Sequence, residues 1–456
     1  MVTSTIPGGR STATRLPSLT GLRFIAAGCV FVCHIAVVTK FIGGAAGSFI
    51  ARTFPLAGPY GVGFFFVLSG FVLTWTAQPD DTVRGFWRRR LVKIYPSHLA
   101  TFAFVALLLA SADAAPRAVD WVLHPLLLQA WVPNMTTAMS FNPVSWSLSC
   151  EVFFYLAFPF LLPLVARLRP TRLWWAVAVV AGLILTVALF AQFLLPDHPR
   201  VTTVASGTLS FAQLWTVYFL PPVRALEFVL GMLLARIVQA GRWPRIGLLP
   251  AAGIALAGYL FVLSVPYLFA TGGLAALWWG PLIAAAAVAD QQVRWSPVRG
   301  PVLVRLGEVS FAFYLVHVPV IVIGVQFIGS ERTLGPIASA TAVAALCLAA
   351  LGVAWLLHRT VEMPFVRRFG RHQTECCHPR AGSDVRPPSL PLLRQPRRSH
   401  GIQRRAPGQD DEQPLRPRQH AHPAGEEILD GGVRSQPCLG GKENGHTGQH
   451  APQAKR

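Results

Sequence analysis

The amino-acid sequence predicts an all-α fold: a polytopic membrane helical bundle of about ten transmembrane helices, followed by a disordered basic C-terminal tail. Three observations predict it. The chain has 456 residues, of which 53% are hydrophobic and 13% charged, whereas about a quarter of a soluble domain is charged. Apolar runs of roughly 17 to 25 residues recur, which is the length that crosses a bilayer core. Every Phe, Trp and Tyr lies within residues 1–370.

Ten runs are candidate spans. In chain order they cover residues 22–41, 61–78, 96–112, 146–166, 173–194, 218–238, 248–267, 270–289, 303–326 and 335–357. The third is short, and little more than a turn separates the seventh from the eighth, so nine or eleven spans remain alternatives. Residues 113–145 are apolar without a run long enough to cross, which indicates an interfacial or re-entrant segment on the outer side.

Basic residues favour ten spans with both termini in the cytoplasm. Residues 1–370 hold 26 Lys and Arg; of these, 19 fall in the segments that such a topology places inside, five fall outside, and Arg23 and Arg224 lie within spans. Cytoplasmic loops of membrane proteins carry such an excess. We therefore attribute most of the formal charge of +20 to topology, and expect a lipid bilayer rather than nucleic acid as the partner.

Three regions follow from this pattern: a cytoplasmic N-terminal segment (1–21), a membrane domain (22–370) and a tail (371–456). The tail has 11 Pro, 14 Lys and Arg, and no Phe, Trp or Tyr. It cannot bury enough apolar surface to offset the entropy of ordering, so we expect it to be disordered. Its composition also fits a GC-rich gene translated in a non-native reading frame, which resequencing its 3′ end would test.

The first span carries two ionisable residues that the bilayer must tolerate. Arg23 and His34 are eleven positions apart, which places them on one helical face with about 16 Å of rise between them. If Arg23 lies near the cytoplasmic surface, His34 falls near the midplane of a hydrocarbon layer about 30 Å thick, where a neutral imidazole could act as a general base. The alternative is a structural histidine that bonds a neighbouring helix, with Arg23 reaching the headgroups.

Other polar residues within spans are candidates for substrate contact or for structure. Glu151 has no obvious local partner, which leaves a role with a polar substrate open. Arg224 and Glu227 can form an i,i+3 ion pair, for which a structural role is the better interpretation. Tyr314 and His317 can face one interior groove or satisfy each other's hydrogen bonds.

A basic cluster and several missing motifs limit the chemistry. Arg84, Arg88, Arg89, Arg90 and Lys93 could hold a nucleotide phosphate, although topology explains most such clusters. The sequence has no P-loop, no HExxH motif and no Gly-x-Ser-x-Gly elbow, which disfavours an ATPase, a zincin and an α/β-hydrolase. We predict no metal site. Composition and spacing alone leave a transporter or a membrane enzyme.

Five segments, in order, resemble the integral-membrane O-acyltransferase family, acyltransferase family 3, over nearly all of residues 16–370. They are LPSLTGLRFIAAGCVFVCH (16–34), GVGFFFVLSGFVLTW (61–75, with Ser69), FWRRRLVKIYP (86–96), WSLSCEVFFYLAFP (146–159, with Trp146 and Ser147) and RLGEVSFAFYLVHVP (305–319).

The resemblance implies a ten-span bundle that transfers acyl groups, often acetyl, to hydroxyls of carbohydrates or of antibiotic scaffolds such as macrolides. It makes Arg23 and His34 the essential pair, with Glu151 in a matched motif. It assigns the basic loop, with Arg88, Arg89, Arg90, Lys93 and Tyr95, to acyl-CoA. Acyl-CoA is then a co-substrate, and no bound cofactor is expected.

The leading hypothesis is a bacterial inner-membrane enzyme that esterifies a hydroxyl of a sugar, glycoside or macrolide-type metabolite. His34 would be the base for the hydroxyl, and Arg23 would neutralise negative charge on the donor or the oxyanion. Direct transfer and a covalent acyl-enzyme both remain open. The rival is a proton-coupled transporter or flippase, in which interior ionisable residues are also expected.

Overall fold

The computed structural model describes residues 16–111, 116–203, 207–329 and 332–369. The chain divides into two compact units, Met1–Pro379 and Arg380–Arg456. The second unit lies wholly outside the described residues, as does the tail predicted for residues 371–456. All the described helices and strands therefore belong to the first unit.

Helices make up almost all of the described structure. They are α1 (Pro17–Val38), α2 (Gly44–Thr53), α3 (Ala57–Trp75), α4 (Val83–Ser111), α5 (Asp120–Leu123), α6 (Met135–Met139), α7 (Trp146–Ala166), α8 (Leu173–Leu194), α9 (Phe211–Leu214), α10 (Pro221–Gln239), α11 (Leu248–Val262), α12 (Tyr267–Thr271), α13 (Leu274–Gln291), α14 (Pro301–Ile328), α15 (Pro336–Leu357) and α16 (Met363–Phe369). Two strands, β1 (Arg200–Thr203) and β2 (Gly207–Ser210), pair antiparallel in a small hairpin that the hydropathy pattern does not predict.

Within the described residues, nine stretches are long and apolar enough to cross a bilayer, one fewer than the ten predicted. The difference is the run at 248–267, where α11 has 15 residues and is about 22 Å long, less than the hydrocarbon thickness of about 30 Å. Helix α11 ends at Val262, and the chain turns over residues 263–266 before α12 begins at Tyr267. The multi-pass membrane fold itself is confirmed.

The basic cluster is helical, which corrects its interpretation as a loop. The predicted third span began at residue 96, but α4 begins at Val83 and contains Pro96 in its interior. Arg and Lys are good helix formers, and proline is tolerated inside membrane helices because neighbouring groups satisfy the freed carbonyl. Arg88, Arg89 and Arg90 are therefore fixed on the first turns of a membrane helix.

Helix α3 is the centre of the bundle. Within the stretch that contains it, Gly44–Trp75, an apolar window of 18 residues is 83% buried, the highest share among the nine. Gly70 and Gly231 let α3 and α10 pack backbone to backbone: a Cβ on Gly70 would lie 1.9 Å from the Phe228 carbonyl oxygen, and one on Gly231 would lie 1.9 Å from that of Val67. Small residues commonly allow such close approach in membranes.

One end of the bundle, which we call the basic end, is pinned by a buried carboxylate. Asp290, at the end of α13, accepts hydrogen bonds from the backbone N–H of Ser18 (2.8 Å) and from its hydroxyl (2.7 Å). Arg299 forms an ion pair with the same carboxylate at 3.0 Å. An acidic group near a helix start also interacts favourably with the helix dipole. The start of α1, and with it the height of Arg23, is thereby fixed.

The opposite end, which we call the loop end, is covered by the segment between α4 and α7. His124 anchors this segment: its ring Nε2 lies 2.9 Å from the Thr137 carbonyl oxygen and 2.7 Å from the Ser140 hydroxyl. Burial lowers the pKa of His124, which keeps its ring neutral. The segment consists of short helices and turns and contributes Met135 and Met139 to the wall of a cavity at this end.

The α3–α10 contact leads to a test of the fold. Gly70→Ala should destabilise the protein by at least about 1–3 kcal/mol, because the two backbones must separate. Gly182→Ala, on α8 with no atom within 4 Å of the added Cβ, is the matched control and should be neutral or slightly stabilising, since Ala favours a helix by about 1 kcal/mol. Thermal unfolding in detergent measures both. Equal midpoints would contradict the close packing.

Candidate functional site

Three charged residues from three helices meet inside the bundle. Arg23 of α1, Lys93 of α4 and Glu151 of α7 line one cavity of about 80 Å³. We call it the charged chamber. Aromatic rings of Phe65 and Phe66 form part of its wall. Two cations and one carboxylate leave a net positive charge, so the chamber is suited to hold negative charge on a small group.

Glu151 has a local partner. The Tyr155 hydroxyl, one turn along α7, donates to a carboxylate oxygen of Glu151 at 3.4 Å. Tyr155 is held in turn by the Trp87 indole N–H, which donates to its backbone carbonyl at 3.0 Å, and Ser69 of α3 lies close to its hydroxyl. The carboxylate is thus oriented by its own helix, with α3 and α4 alongside.

Two residues of the basic cluster, Arg89 and Arg90, line a second cavity at the basic end, together with Asp81. This cavity has a volume of about 330 Å³, and Arg89, Arg90 and Phe86 contribute to its wall. Arg89 is paired with Asp81, and Arg90 lies over the Phe86 ring at 5.5 Å. Arg88 is exposed on the same helix.

Tyr95 lies apart from these cations. Its hydroxyl donates to the Leu126 carbonyl at 3.3 Å, so it contacts the segment between α4 and α7. It lines neither the charged chamber nor the cavity at the basic end.

His34 is paired with a second histidine. Its Nδ1 lies 2.8 Å from the Val30 carbonyl oxygen and 3.2 Å from Nε2 of His317 on α14. Nδ1 of His317 lies 3.2 Å from the Phe313 carbonyl oxygen. Because a carbonyl can only accept, the hydrogen-bond pattern assigns a proton to Nδ1 of both rings. The Nε2 of His34 is then the atom without a hydrogen, available to take a proton.

The His34 ring lines a third cavity, which opens toward the loop end and has a volume of about 260 Å³. We call it the histidine chamber. Its wall is largely apolar and aromatic, and includes the following side chains: Cys33, Met135, Met139, Trp146, Tyr218, Phe219 and Tyr267. A ligand there would be held mostly by contacts with rings and thioethers, with His34 and Thr202 among the polar residues of the wall.

The charged chamber and the histidine chamber meet at one wall. Val62 and Tyr314 are the two residues that line both. The Tyr314 hydroxyl is held 2.7 Å from the Ser147 hydroxyl and 3.2 Å from the Val144 carbonyl oxygen. Tyr314 and Ser147 are therefore neighbours, whereas His317 bonds His34 rather than Tyr314.

Arg224 and Glu227 form the buried i,i+3 ion pair, with 2.9 Å between Nη1 and a carboxylate oxygen. Arg224 also donates to the Thr271 carbonyl at 2.9 Å and lies over the rings of Phe66 and Tyr218. Neither charged residue lines one of the three cavities. The pair thus braces the aromatic walls of both chambers from behind.

Two residues that position the site have no clear signal in the sequence. Val62 is one of many apolar residues in α3. Asp290 lies one residue beyond the predicted span 270–289, so no pattern distinguishes it from a loop carboxylate. The position of Asp290 was a usable signal. A carboxylate at the end of an apolar run needs a polar or charged partner when it is buried.

Comparisons with known proteins agree with this architecture. A family model described as an acyltransferase domain matches residues 16–359. Acyltransferase MdmB from Streptomyces mycarofaciens is 41% identical over 382 residues, covering 82% of this chain and 97% of that protein. O-acetyltransferase OatA from Staphylococcus aureus is 24% identical over 389 residues, covering 77% of this chain and 57% of that protein. No solved structure matches.

The Arg224–Glu227 pair provides a test of the bracing role. Arg224→Met should cost about 3–5 kcal/mol, because it leaves a buried carboxylate without its partner. The double variant Arg224→Met/Glu227→Leu should cost less than the single variant, since no charge remains. Exposed Arg242→Ala is the control. Unfolding midpoints in detergent measure the stability of all three variants. A double variant less stable than Arg224→Met would contradict the structural role of the ion pair.

Proposed function

Because the chain belongs to the acyltransferase family and is an enzyme that transfers acyl groups, we propose that it moves an acetyl or short branched acyl group from acyl-CoA to a hydroxyl of a carbohydrate, glycoside or macrolide-type secondary metabolite. It does so in the bacterial inner membrane, with the basic end in the cytoplasm. The observation that carries the proposal is the junction of a charged chamber with a histidine chamber at one wall.

The donor is assigned to the charged side. Coenzyme A carries phosphates, and Arg89 and Arg90 line a cavity at the basic end while Arg88 is exposed on the same helix; Arg is well suited to bind phosphate. The thioester end of the donor would extend into the charged chamber. There Arg23 and Lys93 would stabilise the negative charge that develops on the carbonyl oxygen and the departing thiolate.

The acceptor is assigned to the histidine chamber. An alcohol is a poor nucleophile until a base removes its proton, whereas the thiolate is a good leaving group. The Nε2 of His34 is the atom available for that task, and the His317 Nε2 lone pair faces the opposite side of the His34 ring. This arrangement would stabilise the imidazolium that forms, as the carboxylate does in a Ser-His-Asp triad.

The wall of the histidine chamber favours an acceptor with apolar faces. Trp146, Tyr218 and Tyr267 present rings to the cavity, and rings contact C–H faces better than densely hydroxylated ones. A glycoside or a macrolide-type scaffold has such faces next to isolated hydroxyls. Mass spectrometry of metabolites and envelope glycans, with and without the gene, would identify the acceptor by its added acyl mass.

Replacing the base should remove the reaction. His34→Ala should lower acceptor-dependent CoA release by about 10² to 10⁴-fold, the range that general-base catalysis contributes, while the protein stays inserted and monodisperse. His198→Ala, in an exposed loop, is the control. An unaltered rate in folded His34→Ala would refute the mechanism. A wild-type protein that neither hydrolyses acyl-CoA nor releases CoA to any acceptor would favour the transporter.

The second histidine should act through the first. In His317→Gln the amide oxygen can still accept from the His34 Nδ1–H, so we expect a loss of kcat within about tenfold. His317→Phe removes this acceptor and leaves only the Val30 carbonyl to accept from the His34 Nδ1–H, so the imidazolium loses one partner and kcat should fall by more than about tenfold with little change in KM. CoA release at saturating donor measures both. Equal losses in the two folded variants would show a merely structural role.

A further inference from the structure

We propose that Val62 sets the length of acyl chain that the enzyme accepts. Its side chain forms one of the two parts of the wall where the charged chamber and the histidine chamber meet. This inference rests on the proposed function: a thioester on the charged side and an alcohol beside His34. The reacting carbon must then lie where the chambers meet, and the acyl chain beyond it must fit against Val62 and Tyr314, the two residues that line both chambers.

Tyr314 is the fixed half of this wall. Its hydroxyl is bound by the Ser147 hydroxyl at 2.7 Å and lies 3.2 Å from the Val144 carbonyl. Its ring packs at 5.8 Å from that of Phe65 and at 6.0 Å from that of His317. A side chain held at both its hydroxyl and its ring cannot move aside without breaking these contacts.

A substitution at Val62 changes the free space at this wall. Close packing fixes the backbone of α3, so only the volume of the side chain changes. Helix α3 lies against α1 so closely that a Cβ on the preceding residue, Gly61, would be 2.7 Å from the Ala26 carbonyl oxygen. Val62 itself is 3% exposed. Its side chain forms no hydrogen bond and lines both chambers, so its volume sets the free space directly.

The transfer at this wall balances without any further reactant. The Nε2 of His34 takes the hydroxyl proton, and the alcohol oxygen forms a bond to the thioester carbonyl carbon. The carbon–sulfur bond then breaks, and the CoA thiolate takes up the proton. The products are an ester and free CoA. During this step the acyl chain has to occupy the space beside Val62, whatever the acceptor is.

Size changes at Val62 should therefore shift donor preference in opposite directions. A methylene more or less in an apolar pocket changes discrimination by about 10 to 200-fold. We expect Val62→Ala to improve the affinity for a six-carbon chain relative to a two-carbon chain by about tenfold, and Val62→Leu to lower the same ratio by about tenfold. Affinity for CoA itself should not change.

The test uses donor analogues, so it does not depend on knowing the acceptor. Dissociation constants of CoA, S-ethyl-CoA, S-butyl-CoA and S-hexyl-CoA are measured by calorimetry on the full-length protein in detergent. The thioethers cannot react. Val72→Ala and Val72→Leu are the matched controls, because Val72 is a valine of the same helix that lines none of the three cavities. Val62→Ile replaces Val62→Leu if the latter fails to fold.

The outcomes separate the two proposals. Opposite shifts of the S-hexyl to S-ethyl ratio at Val62, with none at Val72, support the inference. Ratios within twofold of wild type for both Val62 variants, with CoA binding intact, overturn it and leave the proposed function standing. Failure of wild type to bind CoA or any thioether overturns the acyl-CoA donor, and the inference with it.

Discussion

The charged chamber is the constraint on which the rest of the site depends. Charges inside a bilayer are costly unless they face one another or a polar cavity, and Arg23, Lys93 and Glu151 satisfy this by sharing one. That requirement brings α1, α4 and α7 together, although long stretches of sequence separate them. A bundle that lost this junction would have to expose three charges to lipid or to apolar side chains, so function and assembly depend on the same contact.

Helix α1 then transmits position from the charged chamber to the base. Asp290 and Arg299 fix its first turn, and a rigid helix places His34 about 16 Å farther along the same face as Arg23. At that height α14 supplies both His317, which orients the ring, and Tyr314, which closes the wall. Helix α1 therefore sets the distance between the two chambers. Helix α14 supplies the residues that orient the base and line the place where the chambers meet.

Much of this could be predicted from the sequence, and the part that could not has a physical explanation. Span length and the spacing of Arg23 and His34 depend on one helix at a time, so hydropathy and helical geometry predicted them; α7 and α8 even have the predicted bounds. The contact of His34 with His317, the wall at Val62 and the anchoring by Asp290 each join distant helices. No periodicity within one segment contains that information. Two elements differ from prediction: α11 ends early, at Val262, and the basic cluster is helical because Pro96 is tolerated inside α4.

The wall between the chambers also bears on a problem that any thioester-using transferase must solve. Water is a small nucleophile present at high concentration, and a base poised for an alcohol would serve water equally well. Tyr314 and Val62 line the place where the histidine chamber meets the charged chamber, so apolar and aromatic surface surrounds the point of transfer. An alcohol acceptor has apolar surface that can pack on the rings of the histidine chamber and displace water from them. A water molecule has no such surface and gains no such contact. Excluding solvent strengthens the electrostatic interactions of Arg23 and Lys93 at the same time, so the same apolar lining protects the donor and increases the stabilisation of the transition state.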